Sequence, residues 1–392
     1  MIRKLADLDL SGKTVFVRVD FNVPIDQGKI SETHRVDSAL PTIRHILQRA
    51  RKTVIASHLG RPDGKVVPKY SLRPVQEYLA SALGRTIELA PDCIGADVER
   101  IVSDKRSTIV LLENLRFHKE EEKNDPDFSR ALASLSDVYV NDAFGAAHRA
   151  HASIAGMASF FTEKGSGLLL QKELDYLSPI LANPEKPFVT ILGGAKVSDK
   201  IGVIKNLLPK VDALLIGGGM AYTFLKAQGI EVGKSLLEQD KIGVAADILK
   251  EASNRAVRVM LPVDHVTGDR EKKNPANCDQ AIPTDRMGLD IGPKTAALFA
   301  NEISKAKTVL WNGPVGLFEV RPYDAGSRAL ARALADNQRR VVSIIAGGDT
   351  VAAVSAVGVE DRISHLSTGG GATLEFLEGK ELPGIKALEI DP

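Results

Sequence analysis

Short apolar runs of strand length alternate with stretches of helical periodicity from one end of this chain to the other, a pattern few folds accept. Thr14 to Phe21, Thr53 to Leu59, Thr108 to Leu115 and Asp137 to Ala143 are rich in Val, Ile and Leu and are bounded by polar or glycine turns. Such runs read as buried parallel strands. Between them, Thr42 to Ala50, Val75 to Leu83 and Phe128 to Leu135 carry apolar residues at helical spacing, with Pro74 and Pro126 near helix starts. Pro41 predicts that the first helix begins late, near Ser38. The pattern returns at Phe188 to Leu192, Ala213 to Ile216, Val257 to Pro262, Thr308 to Trp311 and Val341 to Ala346. The expected class is α/β: two doubly wound, Rossmann-like lobes of parallel sheet, with a deep cleft between them. The amphipathic stretch from Leu168 to Leu181, followed by Asn183-Pro184-Glu185-Lys186-Pro187, is the expected helical hinge.

A length of 392 residues suits two such lobes, and 44% hydrophobic with 26% charged residues is the composition of a soluble globular protein. Lys and Arg total 51 against 50 Asp and Glu, so no basic excess favours nucleic acid or acidic lipid, and any anion site must be local. The opening Met1 to Leu10 lacks the apolar core of a signal peptide, and no run approaches the ~18 apolar residues that span a bilayer. Cys93 and Cys278 lie far apart and outside any Cys-x-x-Cys, so neither a disulfide framework nor a thiolate metal site is expected. These features point to a reducing cytoplasm, and near-zero net charge makes a monomer the default.

Ligands of open parallel sheets bind at the carboxyl ends of strands. After the first-half strands come Asp20 and Asn22, then His58 and Arg61, then Arg116, then Arg149. Cationic and hydrogen-bonding side chains at successive strand ends suit a small, multiply charged anion, because the arginine fork matches phosphate or carboxylate. A solvated surface charge is the plain alternative for any one of them. His148 and His151 do not read as a zinc pair, since no His-Glu-x-x-His accompanies them.

The second-half strands end in glycine: Gly193-Gly194-Ala195-Lys196, Gly217-Gly218-Gly219, Asn312-Gly313-Pro314, Gly347-Gly348-Asp349-Thr350 and Gly369-Gly370-Gly371. Glycine lets backbone N–H groups approach phosphates, and a following helix adds partial positive charge. Lys196 and Lys200 would lie together if a helix begins there, on either side of a phosphate chain. Asp349 is a natural Mg²⁺ carboxylate, or else a helix cap. Gly229 to Ser235 has too few residues between its glycines for a Walker loop and reads as a surface loop, and no Gly-x-Gly-x-x-Gly follows a strand.

The motifs Val17-Arg18-Val19-Asp20-Phe21-Asn22-Val23-Pro24, Ser57-His58-Leu59-Gly60-Arg61-Pro62, Glu113-Asn114-Leu115-Arg116-Phe117, Ala147-His148-Arg149-Ala150-His151, Gly193-Gly194-Ala195-Lys196-Val197-Ser198, Trp311-Asn312-Gly313-Pro314 and Ser367-Thr368-Gly369-Gly370-Gly371 occur in an order that resembles the phosphoglycerate kinase family, end to end. The resemblance implies reversible transfer of the acyl phosphate of 1,3-bisphosphoglycerate to MgADP, giving 3-phosphoglycerate and MgATP. It implies that Asp20, Asn22, Arg35, His58, Arg61, Arg116 and Arg149 hold the glycerate and its phosphate. Lys200, Asp349 and Thr350, with the loop Ala346-Gly347-Gly348, would serve the nucleotide phosphates and Mg²⁺, and Glu319 the ribose. Asn312 and Pro314 would wall the nucleotide cleft, with Gly193 beside it and Gly217 to Gly219 at the adenine. Lys196 and Arg35, helped by the amides of Gly370 and Gly371, would neutralise the phosphoryl group in flight.

By the same resemblance, residues 1–168 with about 379–392 form the phosphoglycerate lobe, 169–187 the interdomain helix and hinge, and 188–378 the nucleotide lobe. Ala346 departs from the family's usual glycine, which would slightly weaken backbone approach to a phosphate. Thr284-Asp285-Arg286 stands where an aromatic residue is common. A two-lobed sugar-phosphate binding protein without catalysis, and a kinase acting on another carboxylate, are the rival readings.

Overall fold

The computed structural model describes residues 1–390; Asp391 and Pro392, the end of the stretch assigned by resemblance to the first lobe, lie outside the described residues. The chain divides into two compact units. The first runs from Met1 to Asp175 and is joined by the segment returning from Glu381; the second is Tyr176–Lys380.

In the first unit the strands are β1 (Thr14–Arg18), β2 (Ile25–Asp26), β3 (Lys29–Ile30), β4 (Lys52–Ala56), β5 (Glu88–Leu89), β6 (Ile109–Leu111), β7 (Val138–Asn141) and β8 (Lys164–Ser166). Six of them form a sheet in the order β5-β6-β4-β1-β7-β8, parallel at every pair. Every residue of β1, β4 and β7 is buried, as expected where helices cover both faces. The chain starts at the centre with β1, winds outward to β4 and β6, then returns to the other side at β7. The strand order reverses between β1 and β7, and such a switch point leaves a crevice beyond the strand ends.

The second unit also has a six-stranded sheet, of β9 (Phe188–Leu192), β10 (Ala213–Ile216), β11 (Arg258–Met260), β15 (Thr308–Asn312), β16 (Val342–Ala346) and β17 (His365–Leu366), with three strands before its switch where the first has four. Their order is β11-β10-β9-β15-β16-β17, again all parallel, with the switch between β9 and β15. Trp311, Phe299, Leu330 and Leu334 fill one face, and the indole N–H of Trp311 donates to the carbonyl of Gly313 at 2.8 Å.

The short strands β5, β8 and β17 had no counterpart in the sequence reading, and three further features differ from it. The first helix spans His34–Leu47 with Pro41 inside it, and so begins four residues before Ser38. Its buried stripe of Val36, Ala39, Leu40, Ile43 and Ile46 continues on both sides of Pro41, and that packing outweighs the roughly 3 kcal/mol an interior proline costs. An antiparallel sheet of β12 (Asp264–Gly268), β13 (Ala276–Asp279) and β14 (Met287–Ile291), ordered β13-β12-β14, had no counterpart in the apolar pattern. The segment 229–235 is not wholly superficial: Val232 is buried, and the buried Ser235 hydroxyl accepts the Gly288 N–H at 2.8 Å.

The helix Leu168–Ala182 contains the division between the units. Its N-terminus is held by Asp142, at the end of β7, whose Oδ1 accepts the N–H groups of Leu169 and Leu170 at 2.8 and 3.1 Å. The C-terminal segment rejoins the first unit where Gly384 N–H donates to Ala147 O at 2.8 Å and Ile390 N–H to Met1 O at 3.0 Å. Among the described residues no helix is long and apolar enough to cross a membrane.

Candidate active site

At the switch point of the first unit, β1 delivers Asp20 and Asn22. Asp20 Oδ2 accepts from Arg35 Nη1 at 3.0 Å, and Oδ1 accepts the Asn22 N–H at 3.0 Å and faces His58 Nδ1 at 4.0 Å. Arg35 reaches Asp20 because the first helix begins early and places it in the first turn. Asn22 Oδ1 accepts the Gly60 N–H at 2.9 Å, and the Gly60 carbonyl accepts Arg116 Nη1 at 2.9 Å. One hydrogen-bonded chain thus joins Arg35, Asp20, Asn22, Gly60 and Arg116. Arg61 and Arg149 are exposed beside it and make no side-chain hydrogen bond or ion pair with another described residue. His151, whose ring feels the charges of Arg116 and Arg149, ties the latter to the group.

The electrostatics follow from burial. Burial pushes the His58 imidazole well below its usual value, further than the Asp20 charge restores it, and Arg18 and Arg116 add to the depression. Burial acts the same way on His151, pushed down to about 3. Burial alone would raise the Asp20 carboxyl, yet the charges of Arg35 and Arg18 and the hydrogen bond from the Asn22 N–H oppose it, and its pKa lies below the usual carboxylate value. With both rings neutral at pH 7, the guanidinium groups carry the site's positive charge.

Three residues that the motifs contained but to which no role was attached build this surface. Arg18 is wholly buried; Nε donates to Ser153 Oγ at 2.7 Å, Nη1 to the Val19 carbonyl, and Nη2 lies 3.2 Å from His58 Nδ1. Asn114, also wholly buried, accepts the N–H groups of Leu59 and Arg116 and donates to the carbonyls of Leu59 and Tyr70. Glu113 accepts from Leu72 N, Ser71 Oγ and Asn114 N. A charged residue inside a strand and an amide in a loop carry no sign of burial in sequence.

In the second unit the glycine loops interlock at the other switch point. Gly193 N–H donates to Asn312 O at 3.0 Å, Gly194 N–H to Pro314 O at 2.9 Å and Gly218 N–H to Val315 O at 2.9 Å. A Cβ on Gly218, at φ +66°, would stand 2.8 Å from backbone atoms of Gly194 and Pro314, so the close approach requires glycine. Asn312 donates to the Ala346 carbonyl at 2.8 Å and accepts from Lys200 Nζ. The Thr350 hydroxyl oxygen accepts the Gly313 N–H at 2.7 Å, leaving its hydrogen free to donate. Gly217 follows β10, and its N–H donates to Leu192 O at 2.9 Å.

The two lysines part company. Lys200 is buried, and that burial lowers its pKa against the opposing charges of Asp199, Asp349 and Glu378. Lys196 is exposed and makes no side-chain hydrogen bond or ion pair with another described residue. They do not share a helical turn, because the helix starts only at Ile201; Ser198 is held outside it by Glu238, through its N–H at 3.1 Å and its hydroxyl at 2.6 Å.

Asp349 lies exposed in the first turn of the helix Gly348–Ser355, but the cap position is Gly347. A carboxylate with no partner in its own unit, at a helix start and within electrostatic reach of Lys200, fits a hard cation that arrives with phosphate oxygens. Ala346 is the last residue of β16 and wholly buried, so its methyl packs inside the unit and its carbonyl serves Asn312. Glu319 is exposed in the loop after β15, which is anchored by Leu317 N–H to Leu289 O at 2.7 Å. Gly370, at φ +53°, turns the chain into the helix Gly371–Leu377, leaving both amides at a helix start where no intrahelical carbonyl takes them.

The sequence pattern of the phosphoglycerate kinase family matches residues 5–380. The phosphoglycerate kinase of Koribacter versatilis is 54% identical over 396 residues, covering 98% of each chain. The cytosolic phosphoglycerate kinase of Triticum aestivum is 51% identical over 394 residues, covering 98% of this chain and 97% of its own. The solved structure of phosphoglycerate kinase from Coxiella burnetii superposes with a TM-score of 0.90 at 41% identity, covering 99% of both chains. The chain therefore belongs to the phosphoglycerate kinase family, whose reaction passes the acyl phosphate of 1,3-bisphosphoglycerate reversibly to ADP.

Proposed function

We propose that the first unit binds 3-phosphoglycerate or 1,3-bisphosphoglycerate through Asp20, Asn22, Arg35, His58, Arg61, Arg116 and Arg149, and that the second binds MgADP or MgATP. The observation that carries this reading is the contrast between the two switch points: guanidinium groups at one, interlocked glycine amides at the other. The exposed arginines supply forks for the substrate's phosphate and carboxylate, while Asp20 and Asn22 accept and donate to its hydroxyl. In the nucleotide site the backbone of Gly193, Gly217 and Gly218, whose N–H groups are already paired and which carries no Cβ to obstruct a flat ring, forms the floor for the base, Asn312 and Pro314 wall it, and Glu319 receives the ribose. Lys200, Thr350 and the amides at Gly347 and Gly348 hold the phosphates, with Asp349 toward the Mg²⁺ that arrives with the nucleotide.

Phosphoryl transfer asks for position and for neutral equatorial oxygens. The attacking or leaving group is an ionised carboxylate, so no general base is required, which accords with His58 and His151 being neutral. Lys196 and Arg35, with the amides of Gly370 and Gly371, take the migrating charge. Donor and acceptor oxygens must come within bonding reach in line, so hinge motion about 169–187 belongs to the cycle. Every group invoked comes from one chain, so a monomer suffices, and the cytosol is the compartment we assign.

A coupled assay with 3-phosphoglycerate and MgATP tests this. Turnover with that pair, and none when glycerate replaces 3-phosphoglycerate, is expected; equal rates with both acceptors would contradict the assignment of the arginines to the phosphate.

A further inference from the structure

Cysteine spacing argued against a thiolate metal site, but the fold brings together what the sequence separates. Beyond β5 the chain runs alongside the segment that follows β6, and Ala90 N–H donates to Leu111 O at 2.8 Å. This places Asp92 and Cys93 against Glu113–His118, the segment that carries Arg116. A carboxylate oxygen of Asp92, Sγ of Cys93 and a ring nitrogen of His118 all lie within 4.8 Å of one another. Among the described residues it is the one such cluster of three.

We propose that Asp92, Cys93 and His118 form a binding site for a thiophilic divalent cation with the chemistry of Zn²⁺. The donor set is one thiolate, one imidazole and one carboxylate, the mixture that borderline-soft Zn²⁺ accepts, with a fourth position left to water. Bonds of about 2.0–2.3 Å around a tetrahedral ion set donor atoms roughly 3–4 Å apart, so small side-chain rotations bring the present group to that spacing. Cys93 is wholly buried, while Asp92 and His118 are half-buried. An ion therefore meets the carboxylate and imidazole first and settles against the buried sulfur.

Two existing contacts show how the cluster is tied to its surroundings. Cys93 Sγ–H donates to the Glu113 carbonyl at 3.0 Å, and Asp92 Oδ1 pairs with His118 Nε2 at 2.6 Å. Adjacent residues thus hold both ends of one six-residue segment. On binding, the thiol proton passes to solvent as the metal–sulfur bond forms, His118 coordinates as the neutral imidazole, and any proton shared with Asp92 is also released. No electron changes hands. The ion replaces two hydrogen bonds with three coordinate bonds, releasing the Glu113 carbonyl and holding the segment at its His118 end.

The test is a titration of nucleotide-free Cys278→Ser protein with Co²⁺, read by absorption, followed by Zn²⁺ competition. One Co²⁺ per chain, a near-ultraviolet thiolate-to-cobalt charge-transfer band and intense visible bands of four-coordinate geometry are expected, all abolished by stoichiometric Zn²⁺. The charge-transfer band should vanish in Cys93→Ser, and affinity should fall at least tenfold in His118→Ala. If Cys93→Ser fails to fold, Asp92→Asn with His118→Ala, both changed at half-exposed positions, carries the same expectation of lost binding. No charge-transfer band in Cys278→Ser protein, or a band unchanged by the Asp92 and His118 substitutions, overturns the proposal.

Discussion

Asp349 and Arg149 show what an unpartnered charge is for. Each is exposed, and neither side chain makes a hydrogen bond or ion pair with another described residue, so each remains available to a ligand. Asp349→Asn should weaken MgADP binding roughly tenfold or more while leaving metal-free ADP nearly unchanged, because an amide oxygen is a poorer ligand for a hard cation than a carboxylate. Calorimetric titration with and without Mg²⁺ checks this, and equal losses in both would remove the metal from the role of Asp349. Arg149→Ala should raise KM for 3-phosphoglycerate about 10- to 100-fold, the value of a charged hydrogen bond or two, with KM for MgATP within about twofold. These residues were legible in sequence because position after a strand, not residue type alone, singled them out. Arg18, Asn114 and Glu121 were not. Their work is done in full burial, Glu121 accepting the N–H and hydroxyl of Ser153 behind Arg18, and burial depends on packing from distant parts of the chain.

Among the elements, two helices carry testable compromises. In His34–Leu47 the exposed Pro41 removes the hydrogen bond that the Asp37 carbonyl would otherwise accept. Pro41→Ala should stabilise the protein by roughly 1–2 kcal/mol in urea unfolding, the interior cost less what packing already absorbs. In Leu168–Ala182 the capping carboxyl of Asp142 is pushed up to about 7 by burial, against the hydrogen bonds from Thr42, Leu170 and Leu169 that favour its charge. A carboxyl whose folded pKa is raised gives stability that is fully present below its unfolded value and is lost as pH rises through the folded value. Asp142→Asn keeps an oxygen for the two amides and removes the proton, so its stability relative to the parent should improve between pH 4 and pH 7, by on the order of 1 kcal/mol per pH unit. Urea melts at pH 5 and pH 8 decide it, and a pH-independent difference would mean that Asp142 is ionised throughout. Most of the parallel strands were readable because burial on both faces writes continuous apolar runs, whereas β5, β8 and β17 are two or three residues long, include charged or polar residues and write none. The β12–β14 sheet was not legible either, since Asp264–Gly268, Ala276–Asp279 and Met287–Ile291 mix charged, polar and glycine residues and write no apolar run, although their partners lie close in sequence.

At the scale of the whole molecule, each unit starts at an interior strand and reverses once, after four strands in the first and three in the second, with different chemistry at each switch point. Duplicate architecture was visible in the repeated alternation, and the difference in chemistry in the residues just past each strand end. The join was expected over 169–187, but the turn of Leu168–Ala182 at which the chain divides was not legible, because a continuous helix carries no mark of which side each turn packs on. Since each ligand's proposed contacts belong to one unit, substitutions at Arg116 or Arg149 should leave nucleotide affinity intact, and substitutions at Lys200 or Asp349 should leave 3-phosphoglycerate affinity intact. The central claim is that phosphoryl transfer here rests on positioned positive charge with no general base, and Lys196 is its sharpest case. Steady-state kinetics of Lys196→Ala with 3-phosphoglycerate and MgATP test it most directly. The account predicts a fall in kcat of roughly 10³-fold or more, with both KM values within a few-fold, because the charge is needed chiefly in the transition state. A variant that retains a tenth of the parent kcat would contradict it.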